Sequence, residues 1–293
     1  MKLIFIHGRS QQLKDPVKLA DEWKRALLAG YEKAGVEWTD TVEIVFPFYG
    51  DDLARLVEKV NGPLLTNVLL RGDESVSDKE EARVEILAEM VEALGISQDN
   101  VQAQLEGDST QRDLAIARGP QNWRFVLAML RALDKTPLGG QMIDEITRDV
   151  WVYVTFSGIR DRIDAIVNER VPDEPCVIVA HSLGTIVAYN VLSKRRAGAP
   201  EIPLFLTVGS PLGIRAISTR LKFPLANPPG VRHWLNARDP RDVVALHPLT
   251  AEYFDIAPAI EDFSQIDNFT ENRHSIEGYL TNSFVARCLR DAL

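Results

Sequence analysis

Short apolar runs separated by long helical stretches are the feature that most constrains the fold. Residues 3–6, 177–180 and 204–208 are mainly apolar at consecutive positions, and each run ends at or near a glycine or a small residue. A strand has this pattern when both faces of its sheet are covered, as in parallel sheets. Weaker runs at 42–46 and 232–236 resemble further strands. The alternation with helices predicts an α/β fold with a doubly wound, mostly parallel sheet flanked by helices.

Three helical segments are predicted around these strands. Residues 16–34 begin with Pro16, a favourable first-turn residue, directly after Asp15 as a predicted N-cap. Residues 183–196 follow the second apolar run, and residues 275–291 carry apolar side chains on roughly one face.

The middle of the chain has a different character. Residues 51–150 contain no convincing strand, but residues 78–94 carry an apolar helical stripe and residues 121–134 form a markedly apolar helical segment. We therefore predict one domain over 1–293 with a helical insertion at 51–150. The apolar segment is either a lid over a site or a buried helix of the insertion, and the sequence does not choose between them.

Charge and composition exclude several classes of protein. The chain has 293 residues, with 42 acidic against 33 basic side chains and a net charge of −9, which disfavours nucleic acid as a partner. No apolar run approaches the length of a membrane span, and the first residues do not resemble a secretory signal. We expect no integral membrane segment and a cytoplasmic location. Cys176 lies in an apolar run and is expected to be a core residue, so no disulfide with Cys288 is predicted.

One strand–turn–helix segment contains residues suited to chemistry. The second apolar run leads into Ala180, His181, Ser182, Leu183 and Gly184, and a helix-forming run follows. A serine in so sharp a turn takes a strained backbone, and small neighbours let strand and helix pass closely, so that its hydroxyl points outwards. The helix N-terminus beneath it offers free amides, and the Leu183 amide is suited to stabilising an oxyanion.

This segment resembles the nucleophile elbow of the α/β-hydrolase superfamily, in the variant with alanine as the first small residue that is found in a group of bacterial lipases. The resemblance covers residues 1–50 and 150–293, but not the insertion. It implies an α/β-hydrolase fold with Ser182 as nucleophile. It also implies that the remaining members of a catalytic triad follow the serine, the acid first and the histidine second.

The chain has five histidines, and the resemblance implies that one of them is the catalytic base. His7 ends the first strand, His181 belongs to the elbow, and His233 precedes the acid. His274 lies in a polar loop before the last helix, where the family presents its base, and is the predicted base. His247 remains an alternative.

The resemblance also places the acid after the strand at 232–236. Asp242 is followed by two valines, as in the family's turn, and is preferred to Asp239, which precedes a proline. Asp239 then becomes a turn or capping residue. The acid is expected to fix the tautomer of His274 and to stabilise its charged form.

The end of the first strand resembles the His-Gly turn of lipases and esterases. His7 and Gly8 are followed by Arg9, and the family takes its second oxyanion donor from this loop, here the backbone of Gly8 or Arg9. The Arg9 side chain is expected either to meet an acidic leaving group or to be structural. The aromatic residues of 46–49 are expected to line an acyl pocket or to belong to the core.

The predicted activity is hydrolysis of carboxylic esters, in particular lipid or fatty-acyl esters, through an acyl-enzyme on Ser182. No metal ion or other cofactor is predicted, because the sequence contains no metal-binding motif. A thioesterase or amidase would use the same three side chains. A non-catalytic scaffold or sensor on the same fold is a further alternative, and the oligomeric state stays open.

Overall fold

The computed structural model describes residues 1–39, 41–61, 75–106, 128–133, 139–221 and 224–293. Residues 121–127 and 134 of the predicted apolar helix lie outside this description. The strands are β1 (Lys2–Ile6), β2 (Glu43–Val45), β3 (Cys176–His181), β4 (Phe205–Val208), β5 (Trp234–Ala237) and β6 (Glu261–Phe263). The helices are α1 (Pro16–Ala34), α2 (Gly50–Asn61), α3 (Ser75–Ala93), α4 (Gln98–Glu106), α5 (Gly140–Thr155), α6 (Ser157–Asn168), α7 (Leu183–Ser193), α8 (Arg215–Ser218), α9 (Ile276–Leu280) and α10 (Ser283–Ala292).

The six strands form one sheet in the order β2-β1-β3-β4-β5-β6, and every neighbouring pair is parallel. The chain leaves β1 towards β2 and then returns past β1 to form β3. The strand order therefore reverses between β1 and β3, which creates a crevice at their carboxyl ends. Ligands in open α/β sheets bind in such a crevice. The predicted α/β sheet is confirmed, with all strands parallel.

Alternate residues of each strand point to opposite faces of the sheet. In β1, Leu3 and Phe5 join a core with α1, α9 and α10, whereas Ile4 and Ile6 join a larger core on the other face. All four side chains are fully buried. Because both faces are covered, the strands carry apolar residues at consecutive positions, and this is why their sequence pattern was recognisable.

The helices of 51–150 pack on the second face of the sheet. Leu53 and Val57 of α2, Leu87 of α3 and Val150 of α5 share the larger apolar core with Ile178 of β3. Residues 128–133 are helical, and their apolar side chains are also buried in this core. In the described part of the chain, no helix is long and apolar enough to cross a membrane.

Helix α1 begins and ends where the sequence predicts. The Asp15 carboxylate accepts hydrogen bonds from the amides of Val17 and Lys18, and Gly35, at φ 66°, ends the helix in the left-handed conformation.

Three details of the predicted elements were wrong. The helix expected over 275–291 is divided into α9 and α10, because the Asn282 side chain caps a new helix by accepting from the amides of Phe284 and Val285. The helix expected over 183–196 ends at Ser193. The edge strand β6 was not predicted, since its sequence Glu-Asp-Phe has a single apolar residue.

Candidate active site

Ser182 occupies the tight turn between β3 and α7. Its backbone has φ 55° and ψ −131°, a conformation that non-glycine residues rarely adopt, and its amide donates to the Val208 carbonyl of β4 at 3.1 Å. Such strain persists only where the surrounding structure enforces it, and it is concentrated at functional sites. Here the neighbouring strand holds the turn in place.

Gly184 permits the close approach that the turn requires. A Cβ atom at this position would lie 2.4 Å from the carbonyl oxygen of His7 and 2.5 Å from that of Ile6. The first turn of α7 therefore packs directly on the end of β1. Any larger residue would push the helix away from the strand and displace Ser182.

The three side chains proposed from sequence as a triad meet at the carboxyl edge of the sheet. The Oγ atom of Ser182 lies 2.9 Å from Nε2 of His274, and Nδ1 of His274 lies 2.7 Å from Oδ2 of Asp242. All three residues are buried. With Nδ1 donating to the carboxylate, Nε2 carries the free lone pair and can accept the serine proton.

Asp242 is held as an anion by donors around it. Tyr279 donates its hydroxyl to Oδ2 at 2.6 Å, and the Val244 amide donates to Oδ1 at 2.9 Å. Burial by itself raises the pKa of the Asp242 carboxyl, but the His274 imidazole, the Tyr279 hydroxyl and the Val244 amide outweigh burial and lower it. Tyr279 lies within the predicted helix 275–291, whose apolar face gave no sign of this contact.

Asp239, the alternative acid, binds the loop that carries the histidine instead of the histidine itself. Its fully buried carboxylate accepts from the amides of Asn268 and Arg241, both at 2.8 Å, and from the guanidinium of Arg273 at 3.3 Å. Arg273 precedes His274 and has a positive φ of 52°. Asp239 thus fixes the backbone on which His274 is presented.

The other histidines have different environments. His181 lies 2.7 Å through Nε2 from the carbonyl oxygen of His274, so that its neutral ring donates to the base loop. Burial, and next the neighbouring His274, lower the pKa of His181 to about 3. His247, the alternative base, stacks on Tyr253 and faces Glu89 instead of Ser182.

The loop after β1 is fixed by His7. Its Nε2 accepts from the Tyr49 amide at 3.1 Å, so the ring proton is on Nδ1, which donates to the Gly8 carbonyl at 2.6 Å. Burial lowers the pKa of His7 to about 4 and keeps the ring neutral. Because a trans peptide directs its N–H opposite to its C=O, the Arg9 amide points away from the His7 ring.

Gly8 and Arg9 lie beside the nucleophile. A Cβ atom on Gly8 would lie 2.9 Å from Cβ of Ser182, so the loop backbone is in contact with the serine. Within the described residues, neither the Arg9 amide nor the Leu183 amide donates to another protein group. These two donors are therefore available to an anionic oxygen at Ser182, as is the Gly8 amide, which likewise donates to no described group.

The Arg9 side chain forms ion pairs with two acidic residues of helix α5. Its Nη2 lies 2.6 Å from Glu145 Oε2, and its Nε lies 3.0 Å from Asp149 Oδ2. Arg9 is therefore a structural arginine that joins the loop after β1 to the predicted insertion. Burial raises the pKa of Glu145, but the bonds from Arg9 outweigh burial and lower it.

A cleft of about 660 Å³ opens onto Ser182 and His274. The aromatic residues of 46–49 are not part of its described lining: Phe46, Phe48 and Tyr49 pack around the His7 ring instead. Among the residues that the structure describes, no group of three or more His, Cys, Asp or Glu side chains is placed to hold a metal ion.

Comparisons with protein-family models, with curated proteins and with solved structures found no match to this chain. The chemistry of the site is therefore inferred from its own geometry.

Proposed function

We propose that the protein is a serine hydrolase of the α/β-hydrolase fold that cleaves carboxylic esters through an acyl-enzyme on Ser182. The observation that supports this most is the buried chain of hydrogen bonds from Ser182 through His274 to Asp242, with the serine on a strained turn. A serine hydroxyl is a weak nucleophile until a base accepts its proton, and this arrangement supplies that base.

The proposed reaction has two stages. His274 Nε2 accepts the proton of Ser182 as its oxygen attacks the ester carbonyl, while the amides of Arg9 and Leu183 stabilise the resulting oxyanion. Collapse of the intermediate breaks the ester bond, and His274 returns the proton to the departing alcohol. Water then attacks the acyl-enzyme with the same base and releases the carboxylic acid and free Ser182.

A fluorophosphonate probe and a p-nitrophenyl ester test the proposal. We expect the probe to label the wild type, and Ser182→Ala to lose labelling and about a million-fold in kcat. The matched control is Ser193→Ala, which removes a buried hydroxyl at the other end of α7. If the wild type is neither labelled nor active, the scaffold or sensor alternative is favoured.

Parallel assays with an acyl-CoA and a p-nitroanilide distinguish an esterase from a thioesterase or amidase, which would use the same residues. The cytoplasmic location, and action without a metal ion or other cofactor, also belong to this proposal.

A further inference from the structure

The cleft at Ser182 continues as a groove along helix α1. Six residues of α1 line it, and the four apolar ones recur at intervals of four, three and three positions, which places them on one face of the helix. These four are Leu19, Trp23, Ala26 and Ala29. Ile276 and Thr281 line the opposite side. The wall along the helix therefore carries an apolar stripe, with the charged side chains of Glu22 and Arg25 beside it.

The inner end of the groove lies next to the catalytic histidine. Trp23 contacts the ring of His181 edge-on, at 6.2 Å between ring centres, and the His181 ring lies 4.8 Å from that of His274. A molecule lying in the groove would thus have one end at Ser182.

The outer end of the groove is limited by contact between α1 and α9. A Cβ atom on Gly30 would lie only 2.2 Å from the Leu280 carbonyl oxygen, so the two segments touch there and leave no space between them. From Trp23, at the inner end, to Ala29 the helix rises about 9 Å. The groove therefore runs along the helix and is closed at its outer end.

The charges on the rim indicate what kind of occupant it suits. Lys14 and Arg25 are balanced by Glu22 and Glu277, so the net charge of these four rim residues is zero. The guanidinium of Arg9, deeper in the cleft, is already paired with acidic side chains of α5. The described lining thus offers no unpaired cation at the nucleophile for a phosphate or carboxylate.

We propose that this groove binds a linear, uncharged apolar chain of the ester, on either its acyl or its alcohol side. This inference rests on the proposed function. Because the stripe along the groove is apolar, each methylene group transferred onto it contributes roughly fourfold to kcat/KM until Gly30 is reached.

Two substrate series test the proposal and identify the side of the ester. The first is p-nitrophenyl butanoate, octanoate and dodecanoate, and the second is the butyl, octyl and dodecyl acetates. We expect kcat/KM to rise with chain length in one series only, and that series shows whether the acyl or the alcohol chain occupies the groove.

Ala29→Phe fills the outer half of the groove and should lower kcat/KM for the dodecyl-length substrate at least tenfold, mainly through KM, with the four-carbon substrate unchanged. Ala20→Phe is the matched control, because Ala20 lies on the same helix but lines a separate surface depression. Melting curves verify folding, and Ala29→Leu replaces Ala29→Phe if the latter does not fold.

The groove assignment is overturned if neither series depends on chain length, or if Ala29→Phe and Ala20→Phe behave alike. Failure of the proposed function has a different signature: no substrate of any length is cleaved, and the fluorophosphonate probe does not label Ser182.

Discussion

The Tyr279 hydroxyl and the His274 ring share one oxygen of Asp242. Both donors contact Oδ2, at 2.6 and 2.7 Å. Tyr279 belongs to α9, so the first helical turn after the base loop also fixes the acid. Two donors on one oxygen stabilise the carboxylate and restrict its rotation, which keeps it directed at Nδ1 of His274.

Removal of the Tyr279 hydroxyl should therefore weaken catalysis without removing a reacting group. For Tyr279→Phe we expect kcat for a p-nitrophenyl ester to fall about tenfold, equivalent to about 1.4 kcal/mol, with KM little changed. A purely structural role would lower the melting temperature and leave the turnover of folded enzyme unchanged. The pH profile of kcat should shift as well, because Asp242 loses a donor that stabilises its charged form.

The two aspartates of the loop after β5 should have separable effects. Asp242→Asn should lower kcat by roughly four orders of magnitude, because an amide no longer fixes the reactive tautomer of His274. Asp239→Asn should mainly lower the free energy of unfolding, by about 2 kcal/mol, since it weakens bonds to the base loop. Kinetics and urea denaturation of both variants measure this. A larger kinetic loss for Asp239→Asn would contradict the assignment of the acid.

Close packing at Gly184 makes a single methyl group costly. Gly184→Ala should destabilise the protein by about 3 kcal/mol and strongly reduce labelling of Ser182, because the methyl would overlap the carbonyl of His7. Gly158→Ala in α6 is the matched control, because no atom lies within 4 Å of a Cβ there. It should leave activity unchanged and stabilise slightly. Equal effects of the two changes would contradict the proposed contact.

The ion pairs of Arg9 should hold the loop after β1 against α5 and so keep the oxyanion donors in place. Changing both Glu145→Gln and Asp149→Asn should lower kcat about tenfold, because the Arg9 backbone loses its tether while the amide itself remains. Asp52→Asn, which breaks an exposed ion pair with Arg55, is the control and should have no effect. Steady-state kinetics on a short-chain ester suffice. An unchanged kcat in the double variant would show that the loop holds its position without α5.

Acid should destabilise the protein through two neutral histidines, the buried His7 and the partly exposed His181. The pKa of His7 is lowered to about 4 and that of His181 to about 3, against about 6.5 in the unfolded chain. At pH values between the lowered pKa of each ring and about 6.5, the unfolded state binds protons that the folded state does not. The stability contribution is therefore complete above pH 6.5 and is lost as the pH falls, at up to about 1.4 kcal/mol per pH unit for each ring.

Urea denaturation between pH 6 and pH 5 measures this slope, and measurement at pH 8, where both rings are neutral in both states, provides the reference. His181→Gln should roughly halve the slope. A variant with the wild-type slope would mean that His181 does not contribute to the acid sensitivity.

The local sequence determined those features that depend on neighbours along the chain. Consecutive apolar residues revealed the central strands because both sheet faces are covered, and Asp15 with Pro16 marked the start of α1. The small residues around Ser182 indicated the sharp turn, since strand and helix can pass closely only there. The resemblance to α/β hydrolases, which implies the order serine, acid, histidine, then pointed to Asp242 and His274, although Asp239 and His247 remained alternatives.

Tertiary structure alone decided the relationships that join distant segments. Tyr279 reaches Asp242 only because α9 packs beside the loop after β5, and no local pattern distinguishes that tyrosine from a core residue. Likewise, Asp239 binds the base loop, and Arg9 binds α5 across more than a hundred residues of chain. The same holds for strand β6: its single apolar residue gives no periodic signal, and its pairing with β5 defines it.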